Sequence, residues 1–242
     1  MTLQRVDEPM QSGAMPLTGH LAELRNRIIW SIVAIAVGSV VGFAIGDRLV
    51  EILRAPLPAS VPLILLDITA AFSIRVQLSL VVGVILAMPV ILWHLWRFIS
   101  PGLTSAERRS VLPWIPAALV FFILGVAIAY VILPFAVQFL LGLALQGVNP
   151  TIELRSYFDF VSTLFLAFGV LMEFPILLVG LSRVGIVTSE RLRRSRRVVV
   201  LGIAIFSAVA TPGGDLVSPT VLGLTLYILF EGTVLFIRRT GR

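Results

Sequence analysis

Apolar residues in this chain gather into long blocks separated by short polar segments. Five blocks cover about 28–46, 72–96, 113–133, 158–182 and 217–237. A helix rises about 1.5 Å per residue, so about 20 residues cross the ~30 Å hydrocarbon core of a bilayer. A further block, the fifth in chain order, covers only 198–210 and reaches about 20 Å. There either the chain re-enters, the bilayer thins, or a short helix is simply packed against its neighbours. The pattern predicts an all-α integral membrane protein with six transmembrane helices in a single domain over 16–237.

The polar segments add detail. Residues 1–15 form a polar extension without the apolar core of a cleavable signal peptide. Residues 16–27 predict an interfacial amphipathic helix leading into the first span, with Leu17, Leu21, Leu24 and Ile28 on one stripe and Glu23 four residues before Arg27. Gly38, Gly42 and Gly46 recur every four residues, the spacing that lets a second helix approach closely. Residues 47–71 form a loop containing Pro56, Pro58, Pro62 and Asp67. Pro89 predicts a kink in the second span, and Pro113 a start for the third. After Pro134 a loop is expected, with a short interfacial helix over 135–145. Arg238, Arg239 and Arg242 mark a basic tail over 238–242.

Composition agrees: 58% of residues are hydrophobic and only 13% charged, with a mean hydropathy of +1.02, where soluble domains carry about 25% charge. With no cysteine, disulfides, iron–sulfur clusters and thiolate zinc sites are excluded. All 19 basic residues are arginine, so a P-loop and a Schiff-base or Ser–Lys site cannot be built. His20 and His94 are the two histidines, His94 sitting among Trp93 and Trp96 as in an aromatic belt. No catalytic constellation is expected, nor a metal or cofactor. Fifteen arginines lie in the N-terminal segment, 97–112, 183–197 and the tail, against Arg48, Arg54, Arg75 and Arg155 in or beside the alternate loops. That asymmetry places both termini in the cytoplasm and accounts for the net charge of +6 without nucleic acid.

Three features carry candidate chemistry. Glu173 lies ten residues before Arg183, about 15 Å from the membrane boundary. It is either a protonated carboxyl hydrogen-bonded to a neighbouring helix or part of a functional polar cavity, and Pro175 adds polarity by freeing a carbonyl. The short fifth block followed by Thr-Pro-Gly-Gly-Asp suggests a tip below the far surface. Glu23 and Glu107 stand among arginines; each alone fits a solvated face, and together they would suit a cationic ligand, since carboxylates accept bidentate bonds from guanidinium.

The segments His20-Leu-Ala-Glu-Leu-Arg25, Ala55-Pro56-Leu57, Phe98-Ile-Ser-Pro-Gly-Leu103 with Glu107-Arg108-Arg109, Ala167-Phe-Gly169 with Glu173-Phe-Pro175, Thr211-Pro212 with Asp215, and Leu229-Phe-Glu231 together resemble the TatC family, over about 16–237. The resemblance implies a concave bundle with short fifth and sixth helices, in the cell (inner or plasma) membrane. It implies a receptor for signal peptides bearing consecutive arginines. With TatA- and TatB-type single-span partners and self-association, it would move folded proteins across the membrane, driven by the proton gradient. By position Glu23 and Glu107 correspond to residues recognising the arginine pair, with Phe98, Arg25 and Arg108 beside them. Glu173 matches the intramembrane acid of the concave face, and His20, Pro56, Asp215 and Glu231 match further family positions. The extra residue in Thr-Pro-Gly-Gly-Asp departs from the family pattern at Asp215. The alternatives are a proton-coupled small-solute transporter using Glu173 and a structural scaffold.

Overall fold

The computed structural model describes residues 17–239 except 59–60, 144–150, 184, 186 and 211–215. The N-terminal extension and Asp215 therefore lie outside the described residues. The elements are α1 (Leu17–Ala44), α2 (Gly46–Arg54), β1 (Leu63–Ile64), α3 (Ala70–Ile99), α4 (Ser105–Val111), α5 (Trp114–Gly142), β2 (Ile152–Glu153), α6 (Leu154–Leu171), α7 (Phe174–Arg183), α8 (Ser189–Arg194), α9 (Arg196–Ala210) and α10 (Val217–Arg239). A 3₁₀ turn over Ser100–Gly102 joins α3 to the segment before α4. Among the described residues, five helical stretches are long and apolar enough to cross a bilayer: Gly19–Ala44, Ala70–Gly102, Glu107–Gly142, Leu154–Arg183 and Val217–Arg239.

Several expectations change. The amphipathic segment before the first span is not a separate helix but the first turns of α1. An unbroken helix satisfies its own backbone as it enters lipid, where a bend would not. The expected interfacial helix after Pro134 is the continuation of α5, which carries Pro134 inside it and ends at Gly142. The loop 47–71 contains α2, whose Val50 and Leu53 pack on the core. The fourth span divides into α6 and α7. The last helix, expected to be short, has 23 residues and reaches about 34 Å; of the final two helices α9, with 15 residues, is the one below spanning length.

The core is built by α3, α5, α6 and α10 around α6. Phe122, Phe158, Phe168, Phe230, Leu133, Leu164 and Leu222 are almost wholly inaccessible. Close approach around α6 depends on missing side chains: a Cβ on Gly125 would collide with the carbonyl of Phe168, and one on Gly169 would stand 2.8 Å from the Phe122 ring. Helix α1 is peripheral. Its buried residues, among those whose exposure is described, are Gly38 and Gly42, and they lie against Gly83 and Ser79 of α3. Between apolar helices in lipid there is little hydrophobic drive, so this seam of small residues is what holds α1 by close contact.

At the end where α1 meets α2, side chains and backbone clasp the connections together. β1 pairs in parallel with β2, Leu63 opposite Ile152. The Tyr157 hydroxyl donates to the Leu53 carbonyl at 2.5 Å, Arg75 pairs with Asp47, and Arg155 approaches Asp67 at 3.8 Å. Thr69 donates to Asp67 through its hydroxyl and its N–H. Those bonds, helped by Arg155, hold the Asp67 carboxyl below its usual range. The contribution of that carboxylate is complete above the ordinary carboxylate range and is lost as pH falls through the lowered value.

Candidate functional site

The arginine-rich end is assembled by the α1–α3 seam. The antiparallel register that sets Gly38 against Gly83 and Gly42 against Ser79 carries the start of α1 to the end of α3. There the rings of His20 and Phe98 stack, centroids 4.3 Å apart and planes 17° from parallel. One turn further along α1, Arg27 Nη2 donates to Glu23 Oε1 at 2.8 Å, with both side chains less than one-fifth exposed. This is the helical pair that the four-residue spacing predicts. Glu23 Oε2 and Arg27 Nε are buried without a partner among the described residues, so a second cation reaches that oxygen only when the side chains covering it move aside. His94, one turn before Phe98, is half-buried, and its Nδ1 has no partner among the described residues.

Glu107 is positioned differently. Thr104 has extended backbone angles and caps α4, with Glu107 at the third helical position. The Glu107 N–H donates to Thr104 Oγ1 at 3.4 Å, while Glu107 Oε2 accepts from the Thr104 N–H at 2.9 Å and from its hydroxyl at 2.8 Å. This capping box fixes the carboxylate at the helix N-terminus, where negative charge is favoured. Arg25 and Arg108 are exposed and Glu107 half-buried. Each of the two glutamates is anchored within its own segment, Glu23 to Arg27 and Glu107 to Thr104. An apolar groove of about 380 Å³ adjoins this end, lined by Trp96, Ile99, Leu103, Trp114, Ile176 and Leu181 among others.

Glu173 sits in the break between α6 and α7. Met172 N–H still reaches the Phe168 carbonyl at 3.1 Å, the Glu173 N–H bonds the Val170 carbonyl at 3.1 Å, and a new helix starts with Leu177 N–H on the Glu173 carbonyl at 3.1 Å. Pro175 occupies the first turn of α7, where its missing N–H costs nothing. The side chain is half-buried and its Oε1 is buried without a partner among the described residues. Grooves of about 320 and 340 Å³ flank the break, one lined by Leu171 and Phe174, the other by Pro175 and Ile176. An unsatisfied acid oxygen between apolar grooves is a site that attracts water or a polar partner.

The remaining positions lie elsewhere. Pro56 follows α2 at the clasped end and is half-buried. Glu231 accepts a 2.5 Å ion pair from Arg196, so the polar residue inside the last helix is matched across the α9–α10 pair. Thr104 and Arg196 are missing from the residues expected from sequence. Thr104-Ser-Ala-Glu107 is itself a capping signature, whereas Arg196 and Glu231 are 35 residues apart and no local spacing joins them.

The family model described as "Sec-independent protein translocase protein (TatC)" matches residues 19–224, so Glu231 lies beyond the matched stretch. The chain is 38% identical to the TatC protein of Aquifex aeolicus over 223 residues, covering 90% of this chain and 92% of that one. It is 37% identical to that of Escherichia coli (strain K12) over 228 residues, covering 92% and 88%. A solved structure described as "Crystal Structure of Twin Arginine Translocase Receptor- TatC" superposes with a TM-score of 0.79 at 36% identity, over 92% of this chain and all of the other.

Proposed function

This chain belongs to the TatC family of Sec-independent protein translocase proteins, and from that premise we propose that it is the receptor for signal peptides carrying two consecutive arginines. It is a multi-pass membrane protein and a component of the twin-arginine translocase. In the proposed topology six helices cross the cell membrane, α9 being the short one, with both termini in the cytoplasm as the arginine asymmetry directs. TatA- and TatB-type single-span subunits and further copies of this chain would complete a complex that moves folded cargo at the expense of the proton gradient.

The observation that carries the proposal is the half-used carboxylate of Glu23. It lies one turn from the His20–Phe98 stack and holds a buried oxygen with no partner among the described residues. Glu107, nine residues beyond Phe98, supplies a second carboxylate at the start of α4. Two carboxylates suit two guanidinium forks better than two ammonium groups, because the forks match their geometry. The test is photocrosslinking to a signal peptide bearing the arginine pair. Glu23→Ala is expected to cut the crosslink about tenfold, the loss of one charge-assisted contact, and Glu23→Gln, which keeps an acceptor for Arg27, to do so while the protein still inserts and melts normally. Replacing both peptide arginines by lysine should cut it further. Unchanged crosslinking for Glu23→Ala and for Glu107→Ala would remove the receptor assignment to this end.

For Glu173 the proposal is a hydrated polar point midway along the path of the signal peptide. Glutamine at this position should preserve most export of a folded reporter, since it keeps a hydrogen-bonding group. Leucine should reduce export about tenfold or more, because it dries the break. Equal export for Glu173→Leu and the unaltered chain would refute the polar point.

A further inference from the structure

Beyond the receptor end, the junction of α8, α9 and α10 holds a second built feature. A pocket of about 310 Å³ is lined by Arg193, Arg196, Arg238, Glu231 and, on the other side, Gly232, Val234 and Leu235. It differs from the other grooves, whose walls are almost entirely apolar. Arg196 is bound to Glu231 at 2.5 Å, which neutralises one guanidinium and fixes it in the wall. Arg193 and Arg238 form no ion pair with any described residue. The lining thus carries two guanidiniums in excess of its carboxylate.

We propose that this pocket binds the phosphodiester headgroup of an anionic phospholipid. The chemistry follows from the lining. Guanidinium forks recognise phosphate oxygens bidentately, and a basic pocket between membrane helices at the headgroup level suits an acidic lipid. From Glu231 to Arg238 is seven residues, about 10 Å along α10, so the site runs from the headgroup region into the upper acyl layer. Arg238 holds the outer end, while Val234 and Leu235 offer apolar surface to the start of an acyl chain. Gly232 keeps the wall open, since a Cβ there would meet nothing within 4 Å. A bound lipid would then tether the short helix α9 and the long helix α10 through their shared basic end.

The experiment uses the full chain in detergent, with retained lipid counted by native mass spectrometry after titration with phosphatidylglycerol or phosphatidylcholine. The unaltered protein should retain phosphatidylglycerol at concentrations about tenfold lower than phosphatidylcholine. Arg193→Gln/Arg238→Gln should abolish that preference. Arg194→Gln/Arg239→Gln removes two charges from the same segments but none from the pocket lining, and should keep it. Neither Arg193 nor Arg238 supports another described residue, and a melting curve for each double variant checks that the bundle persists. Equal retention of the two lipids by the unaltered chain would overturn the site without reference to any variant. So would an equal loss in both double variants, which would mean bulk attraction only. Displacement of the lipid by millimolar inorganic phosphate or glycerol phosphate would show a free-anion site and equally overturn the lipid assignment.

Discussion

Leucine in place of Gly83 will detach the first membrane helix. A Cβ at this position would stand 2.7 Å from the Ile35 carbonyl and 2.9 Å from the Ser39 nitrogen, and would collide with the Ser39 hydroxyl. That hydroxyl is itself engaged, donating to the Ile35 carbonyl at 2.8 Å. The obstacles are largely backbone, so no rotamer change relieves them and the two helices must part. Overpacking of this kind costs about 1–3 kcal/mol or more, and a chain of this size loses about 2–4 °C per kcal/mol. The melting midpoint in detergent should fall by roughly 5–10 °C for Gly83→Leu and by less for Gly83→Ala. Gly202→Ala is the control: a Cβ there meets nothing within 4 Å, and alanine favours a helix over glycine. Function should fall with stability, because the same seam brings His20 to Phe98. An unchanged midpoint for Gly83→Leu would show that α1 is not held by this contact.

That seam was legible in the chain as the four-residue glycine repeat, but only half of it. Gly38 and Gly42 announce a close approach; nothing local says that Gly83 is the partner. Likewise the Glu23–Arg27 pair follows from helical spacing, whereas the His20–Phe98 stack depends on how two distant helices register. Proline misled the element boundaries in both directions. Pro134 looks like an end to the third span, yet α5 continues through it, because the surrounding helices tolerate a missing N–H within an otherwise satisfied bundle. Pro175 reads as freeing a carbonyl inside one continuous span, yet α6 ends before it and α7 begins with it in the first turn, leaving Glu173 in the gap. The small helix α2 was hidden because Leu49, Val50, Ile52 and Leu53 are interleaved with charges in a nine-residue segment that reads as loop beside the prolines. Ten residues after Gly46, Pro56 still marks where it stops.

The second large effect is expected at Glu107, where charge and architecture can be separated. Its carboxylate caps α4 through Thr104, so removing the side chain confuses loss of a ligand contact with loss of a helix start. Glutamine separates the two: it can still accept from the Thr104 N–H, as the capping box allows, but it carries no charge for a guanidinium. Glu107→Gln should therefore melt within a degree or two of the unaltered protein, yet bind a twin-arginine peptide about 10–100-fold more weakly, the worth of one charged hydrogen bond of about 1.5–3 kcal/mol. Thr104→Ala makes the opposite cut, costing about 1 kcal/mol of local helix stability while leaving the Glu107 side chain itself in place beside α4. Its peptide affinity should fall only a few-fold, by the fraction of time the helix start is frayed. Peptide binding measured by fluorescence anisotropy in detergent decides between them. If Thr104→Ala weakens binding as much as Glu107→Gln does, the glutamate acts by shaping the helix that presents the site, and the guanidinium contact belongs to Glu23 alone.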